Sequence, residues 1–476
     1  MDVKKFLKNI LKYTVPSVIS AIVGIVVIPI ISRVFPTEDY GKINLFYSVG
    51  NMLMYIVLMG LDSALIRFYF EPPEEANKNK IFELALWTSV SISIILSLIS
   101  VLFFSKQISN YLFGELQINM LIALLLYIIG LILFRLVSIE MRMENKAFLY
   151  NIQQILLIIT NRVSFVLIAF YSTEYKYSIW VITICSLFFG LIFLLLQKNL
   201  KDLGIPKLKT RVLKKIFSFS IPLMPTMVMV WANNSVAKIV LSGFNDYESV
   251  GILSIATSVA NIFSLIPAAF ATYWSPFMYK NYKSEKEFIQ KVHNYICMLS
   301  LIIVLGIFCT QDILYTIVGG DYKVSQPYFM LVMLTPIQTL ICETTSYGIV
   351  LSNKTKFNLL ISVVSLLVNY FVGYYSYNYL GVYGVVMGIA ISAIIQLYLK
   401  TIIGQKYYRS INNKYKTIGC FSLIISSCVL NVLFYENIMI RILYTLGIFV
   451  LLFVIYNKEI LSCKKILANY KGKNKN

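Results

Sequence analysis

The sequence predicts an all-α polytopic membrane protein of about 14 transmembrane helices, arranged as two pseudo-symmetric six-helix lobes plus two C-terminal helices. Three observations predict it. Of 476 residues, 58% are hydrophobic and 13% charged, with a mean hydropathy of +0.75, whereas soluble domains average about 45–50% apolar and about 25% charged. The apolar residues gather into segments of about 20, the length that crosses a bilayer as a helix. The basic residues fall almost entirely in alternate connections.

In chain order the segments are 13–32, 42–61, 81–104, 116–139, 151–171, 177–197, 217–243, 249–272, 291–311, 327–350, 357–379, 381–400, 415–434 and 436–456. The first follows a basic stretch, Met1–Lys12, that resembles a signal peptide. Its apolar run to Ser32 is too long for a signal core and no small-residue cleavage site follows, so it is expected to be a retained helix. The second and fifth are the least apolar. The expected organisation is an N-lobe over 1–200 (spans 1–6), a C-lobe over 201–410 (spans 7–12), and spans 13–14 with a basic tail over 411–476.

With the N-terminus inside, 33 of the 42 Lys and Arg residues lie in cytosolic segments. Six are assigned to outer segments, counting Lys42 and Arg441 at the outer ends of their spans with them: Arg33, Lys42, Lys106, Lys176, Lys323 and Arg441. Arg135, Arg162 and Lys238 lie within spans. This is the asymmetry of the positive-inside rule, and it places both termini in the cytosol of a cytoplasmic membrane. The formal charge of +20 therefore reads as a topology signal whose partner is anionic inner-leaflet lipid. No basic groove for nucleic acid is visible.

A weak repeat supports the two lobes. Glu38, Gly41, Ser48, Val49 and Asn51 recur as Glu248, Gly251, Ser258, Val259 and Asn261, at an offset of 210 each time. Pro16 and Pro222 precede the two copies. Spans 1–6 and 7–12 then share number and orientation, the pattern of a parallel repeat about an axis along the membrane normal.

Charges inside the spans point to a cavity, because a charge at the bilayer centre costs about 2.5–3.5 kcal/mol on insertion scales. Asp62, Arg162, Lys238 and Glu343 are the clear cases; Arg67, Arg135 and Glu140 lie nearer the cytosolic ends. At about 100° per residue, Asn44, Ser48, Asn51, Tyr55 and Asp62 align in one polar stripe along span 2. Span 8 repeats it with Ser254, Ser258 and Asn261. Span 7 places Trp231, Asn234 and Lys238 together. Any single Asn or Ser in such a stripe is more readily explained by helix packing; Arg162 and Lys238, as buried cations, are better candidates for binding.

Other chemistries find no support. The cysteines (185, 297, 309, 342, 420, 428 and 463) are scattered and read as small buried residues. With one histidine, His293, no metal site is expected, and His293 itself reads as interfacial beside Lys291. No cofactor motif, GxSxG, HExxH or Walker A run occurs, and no outer loop is long enough for an extramembrane active site. The protein is expected not to be an enzyme.

Ser32-Arg33-Val34-Phe35-Pro36-Thr37-Glu38-Asp39-Tyr40-Gly41 resembles the S-R-x-x-x-P-x-x-Y-G element of polysaccharide transporters, with the proline one position early at Pro36, and Gly60-Leu61-Asp62-Ser63-Ala64-Leu65-Ile66-Arg67-Phe68-Tyr69 resembles their G-x-x-x-A-x-x-R-F/Y-Y/F element. These are Wzx-like flippases of the MATE/oligosaccharidyl-lipid/polysaccharide flippase superfamily. The resemblance implies a flippase that moves undecaprenyl-diphosphate-linked oligosaccharide from the inner to the outer leaflet of a bacterial inner membrane, for O-antigen, capsule or exopolysaccharide synthesis, alongside polysaccharide assembly machinery. Arg67, Arg162, Lys238, Asn51, Asn234, Asn261 and Trp231 are then the candidates for diphosphate and sugar, and Asp62 and Glu343 for a coupling ion. A MATE-type drug or cation exporter shares the fold but calls for an acidic cavity. A membrane glycan polymerase calls for a large outer loop.

Overall fold

The computed structural model describes residues 19–461, apart from 21, 145, 198–202, 353 and 355. Pro16, the lysines of Met1–Lys12, Cys463 and the basic tail lie outside the described residues. Among those described there are helices, turns and bends but no strand. Lipid cannot satisfy exposed backbone polar groups, so a spanning chain without a closed barrel must be helical.

The chain divides into two compact units, Met1–Ser254 and Ile255–Asn476. In the first, α1 is Ile22–Val34, followed by α2 (Thr37–Leu58), α3 (Leu61–Arg67), α4 (Lys78–Phe103), α5 (Ser105–Phe113), α6 (Ile118–Met143), α7 (Ala147–Arg162), α8 (Ser164–Ile168), α9 (Tyr175–Gln197), α10 (Thr210–Ser220) and α11 (Met224–Gly243). α12 (Tyr247–Ile262) runs from the first unit into the second. The second unit continues with α13 (Leu265–Asn281), α14 (Lys286–Ile317), α15 (Phe329–Thr345), α16 (Tyr347–Leu351), α17 (Lys356–Leu380), α18 (Val382–Tyr407), α19 (Lys414–Phe434) and α20 (Ile438–Ile455).

A helix or helix pair lies at each of the expected spans, but the count of 14 is not reached on length and hydropathy. Among the described residues, 11 helices are long and apolar enough to cross, or 12 if the bent pair α2–α3 is one span. α1, described only in part, and α15 are shorter apolar helices. The protein is a multi-pass membrane protein. α6 forms the centre of the first unit, whereas α4 turns Ile94, Ile95, Leu98, Ile99, Leu102 and Phe103 outward. Such a face suits lipid, since soluble surfaces rarely expose apolar patches of this size.

Span 2 is not one straight helix. Met59 (φ 47°) and Gly60 (φ 73°) take left-handed conformations, and the axis turns by 56° between α2 and α3. A left-handed residue cannot continue a right-handed helix. The polar stripe therefore ends at Tyr55, and extrapolating it to Asp62 is incorrect.

Two expectations about charged or titratable groups are corrected in the second unit. Arg441, assigned to an outer segment, lies within α20 and is fully buried; it pairs with Asp312 and donates to the Phe308 carbonyl at 3.3 Å. His293 is buried within the protein rather than open to its surroundings beside Lys291. Its ring is buried between the Thr344 hydroxyl on Nδ1 (2.8 Å) and the Thr417 hydroxyl on Nε2 (3.0 Å), tying α14 to α15 and α19. Both groups are placed by partners more than 50 residues away, which one helix's own pattern cannot reveal.

The charge pattern also makes a direct test. Gln107, Asn245, Tyr379, Lys209 and Lys406 are all exposed. Cysteines at the first three should react with a membrane-impermeant maleimide added outside intact cells, and cysteines at Lys209 and Lys406 should not. Labelling at Lys209 would refute the assigned orientation.

At the end of α6, Glu144 accepts hydrogen bonds from the Tyr69 hydroxyl (3.1 Å), Lys78 (3.1 Å) and Gln197 (2.7 Å) and pairs with Lys146 (2.9 Å). Burial alone would raise its pKa, but bonds from Lys146, Gln197, Lys78 and Tyr69 outweigh it and hold the carboxyl down from 4.5 to about 2. A pKa depressed by folding stabilises the fold above the unfolded value, and that stability is lost as pH falls from 4.5 towards about 2. Glu144→Gln should lower the melting temperature in detergent at pH 7 and flatten its decline across this acid window. An unchanged acid limb would show that Glu144 does not contribute.

Candidate functional site: a polar cavity between α2 and α11

α2 and α11 face each other across a cavity of about 260 Å³ lined by Asn44, Tyr47, Ser48, Asn51, Tyr55, Trp231, Asn234, Ser235 and Lys238. The contributing positions recur at spacings of three and four on each helix, so each presents one face. The helices run in opposite directions, with Asn44 beside Lys238 at one end and Tyr55 and Trp231 towards the other.

Local hydrogen bonds orient the amides. Asn44 Nδ2 donates to the Tyr40 carbonyl (2.9 Å) and Asn51 Nδ2 to the Tyr47 carbonyl (2.7 Å). The Asn44 oxygen is thereby left to accept from Lys238 Nζ at 3.5 Å. Tyr47 is fixed from behind: its hydroxyl donates to the Asn161 carbonyl at 2.5 Å, and its ring meets Tyr127 edge-on at 5.9 Å.

Among the described residues, no carboxylate lies within ion-pair distance of Lys238. The buried indole Nε1 of Trp231 likewise has no hydrogen-bond partner there. The cavity thus offers a cation and an N–H donor together with amide, hydroxyl and aromatic groups. This set can neutralise an anion, bond hydroxyls and stack on the apolar faces of a ring.

Of the candidates named from sequence, the cavity gathers Asn51, Trp231, Asn234 and Lys238. Arg162 is not the buried cation expected. α7 ends at this residue, which is exposed; its guanidinium turns to α1, donating to the Ser20 carbonyl at 3.3 Å and lying 2.7 Å from where a Cβ on Gly24 would sit. Arg67 is exposed at the end of α3 and pairs with Glu71 at 3.3 Å. Asp62 is buried, but its carboxylate binds Arg135 through Nε (3.1 Å) and Nη2 (2.8 Å) and accepts from the Ser63 N–H. Asn261, in the second unit, is exposed. Glu343, also there, interacts with the Tyr347 hydroxyl and the Lys400 charge.

Tyr47 and Ser235 line the cavity and were not singled out from sequence. Tyr47 precedes Asn51 by four residues and Ser235 precedes Lys238 by three, so helical spacing was the available signal. It was obscured because both helices also carry apolar residues at such spacings.

A family model described as "Polysaccharide biosynthesis protein" matches residues 6–282. No curated protein matches the chain. Among solved structures, the chain is similar to the lipid II flippase MurJ in an inward closed conformation, with a TM-score of 0.68 and 17% identity over 94% of this chain and 99% of that one. It is also similar to an inward-facing multidrug resistance MATE family transporter of the MOP superfamily, with a TM-score of 0.49 and 16% identity over 88% and 99% of the two chains. The first likeness establishes the fold, and the family match, which covers more than half of the sequence, shows that this chain belongs to the polysaccharide biosynthesis protein family.

Proposed function

We propose that the protein is a flippase that carries undecaprenyl-diphosphate-linked oligosaccharide from the inner to the outer leaflet of the bacterial cytoplasmic membrane by alternating access, with both termini cytosolic, in O-antigen, capsule or exopolysaccharide assembly. The observation that carries this reading is the cavity within the first unit, where Lys238 has no carboxylate among the described residues and stands among amide and aromatic groups. A glycan headgroup cannot cross hydrocarbon bare, because each unpaired hydroxyl costs several kcal/mol. The lining replaces water around the sugar, and Lys238 meets the diphosphate by charge-assisted hydrogen bonding. Arg162 and Arg67, outside the cavity, remain candidates for steps before or after occupancy. Asp62 and Glu343 remain candidates for ion coupling. The two lobes, 1–200 and 201–410, rest on the 210-residue repeat.

A cavity with a cation and, among the described residues, no lining carboxylate does not suit the cationic cargo of a drug exporter. For the prenyl tail, the second unit offers an apolar cavity of about 320 Å³ between α15, α18 and α19, lined by residues such as Leu334, Ile341, Leu397 and Phe421. Moving two negative charges outward releases about 4.6 kcal/mol per 100 mV of inside-negative potential, twice the per-charge value. The test is reconstitution. Vesicles holding the protein should flip a fluorescent prenyl-diphosphate oligosaccharide, and Lys238→Ala should slow it by about ten- to a hundredfold. Absence of flipping by the unaltered protein under a potential and under sodium or pH gradients would overturn the assignment.

A further inference from the structure

The seam between α2 and α11 ends, in both directions, at a place where backbone lies on backbone. Beyond Asn44 and Lys238, Gly41 of α2 crosses Gly251 of α12. A Cβ on Gly41 would lie far inside van der Waals contact distance of the Tyr247 carbonyl oxygen and 3.0 Å from the Gly251 nitrogen. A Cβ on Gly251 would meet the Thr37 carbonyl oxygen in the same way and lie 3.1 Å from the Gly41 nitrogen. The contact is reciprocal: Thr37 and Tyr247 differ by 210, as do Gly41 and Gly251. Repeat-equivalent residues therefore touch each other, as the two sides of an isologous contact do about a two-fold axis. At the opposite end, beyond Tyr55 and Trp231, Gly60 lies against the Ser220 backbone at the end of α10. A Cβ there would overlap the Ser220 carbonyl oxygen and sit 3.0 Å from its carbonyl carbon.

We infer that these two glycine crossings are the doors of the cavity: Gly41 on Gly251 closes it towards the outer face, Gly60 on Ser220 closes it towards the cytosol, and transport parts them in turn. The inference rests on the flippase reading for its cargo, but the doors themselves are a matter of geometry. Main-chain surfaces in contact seal tightly because no side chain intervenes. They also part at modest cost, since dispersion contributes about 0.1–0.2 kcal/mol per atom pair and a weak Cα–H···O contact about 0.5–1 kcal/mol. The groups beside the outer crossing tether without bridging the glycines: Lys42 pairs with Glu38 at 2.6 Å and lies over the rings of Tyr175 (5.0 Å) and Tyr247 (5.4 Å).

Cysteine accessibility tests the outer door without any cargo. In a variant lacking the native cysteines, Ser48→Cys reports on the cavity. Gly41→Ala and Gly251→Ala should each raise its labelling by an impermeant maleimide from outside at least tenfold. One separation accommodates both methyl groups, so the double variant should gain little over either single one. Gly243→Ala, where a Cβ meets nothing within 4 Å, should change nothing. Unchanged outside labelling in folded Gly41→Ala and Gly251→Ala would overturn the assignment. Should those variants fail to fold, spin labels at Glu38→Cys and Glu248→Cys, both exposed and related by the repeat, read the door directly. Two distance populations that shift when a short-chain prenyl-diphosphate sugar is added support it. One short distance under every condition overturns it. Doors that part while no lipid is flipped would refute the proposed function and leave the crossings standing.

Discussion

Lys238→Ala should lower flipping of a prenyl-diphosphate oligosaccharide by about ten- to a hundredfold. Hydrogen bonds to charged groups contribute about 1.5–3 kcal/mol, and each 1.4 kcal/mol is a factor of ten. The effect sits at the upper end if the cargo's charge is otherwise unpaired in the cavity, where Lys238 is the one cation among the described lining residues. Lys238→Gln, which keeps length and loses charge, should be nearly as impaired. Lys238→Arg should be a partial rescue, because a planar fork replaces a compact ammonium. Arg162→Ala should lose less than Lys238→Ala, since Arg162 is held against α1 outside the lining. Stability should move the other way. Removing a desolvated cation that has no carboxylate partner among the described residues relieves a cost, so Lys238→Met should melt no lower than the parent while flipping less. Normal flipping by folded Lys238→Met would remove Lys238 from the cargo site.

Arg135→Ala should be among the most destabilising single changes in the first unit, by about 3–5 kcal/mol, because it strands a buried carboxylate. Asp62 is 2% exposed and takes both hydrogen bonds from Arg135 on one oxygen. The reverse change should cost less. Arg135 is 36% exposed, so in Asp62→Asn its guanidinium retains access to water. Replacing both at once with apolar residues of similar volume should restore most of the loss, as for other buried pairs. Thermal unfolding in detergent of the two single variants and the double variant separates these outcomes. If Asp62 instead couples an ion, Asp62→Asn should keep its stability and lose gradient-dependent transport. Equal, additive losses in the two singles would exclude the pairing account.

The sequence was legible wherever a property belongs to one helix. Hydropathy and the Lys and Arg pattern located a helix at every expected span. The three- and four-residue spacing of Asn44, Ser48, Asn51 and Tyr55, and of Trp231, Asn234 and Lys238, marked the faces that meet at the cavity. The break at Met59 and Gly60 was not legible, since Gly within an apolar run is compatible with a continuous helix.

Charge told less, because a charge inside a span requires a partner or water without naming which. Asp62, Arg162, Lys238 and Glu343 read alike as buried charges. One is paired with Arg135, one is exposed against α1, one faces the cavity and one sits beside Tyr347 and Lys400. Arg441 and His293 went unrecognised because Asp312, Thr344 and Thr417 lie on other helices. The repeat at an offset of 210 was visible in the letters, but nothing in them said that Gly41 and Gly251 touch. Periodicity along a helix is set by local geometry, so the sequence by itself determined the class of protein, the positions of its helices and the polar faces of two of them. Which face meets which, and which charge finds a partner, depends on contacts between residues far apart in the chain, and those only the tertiary structure decided.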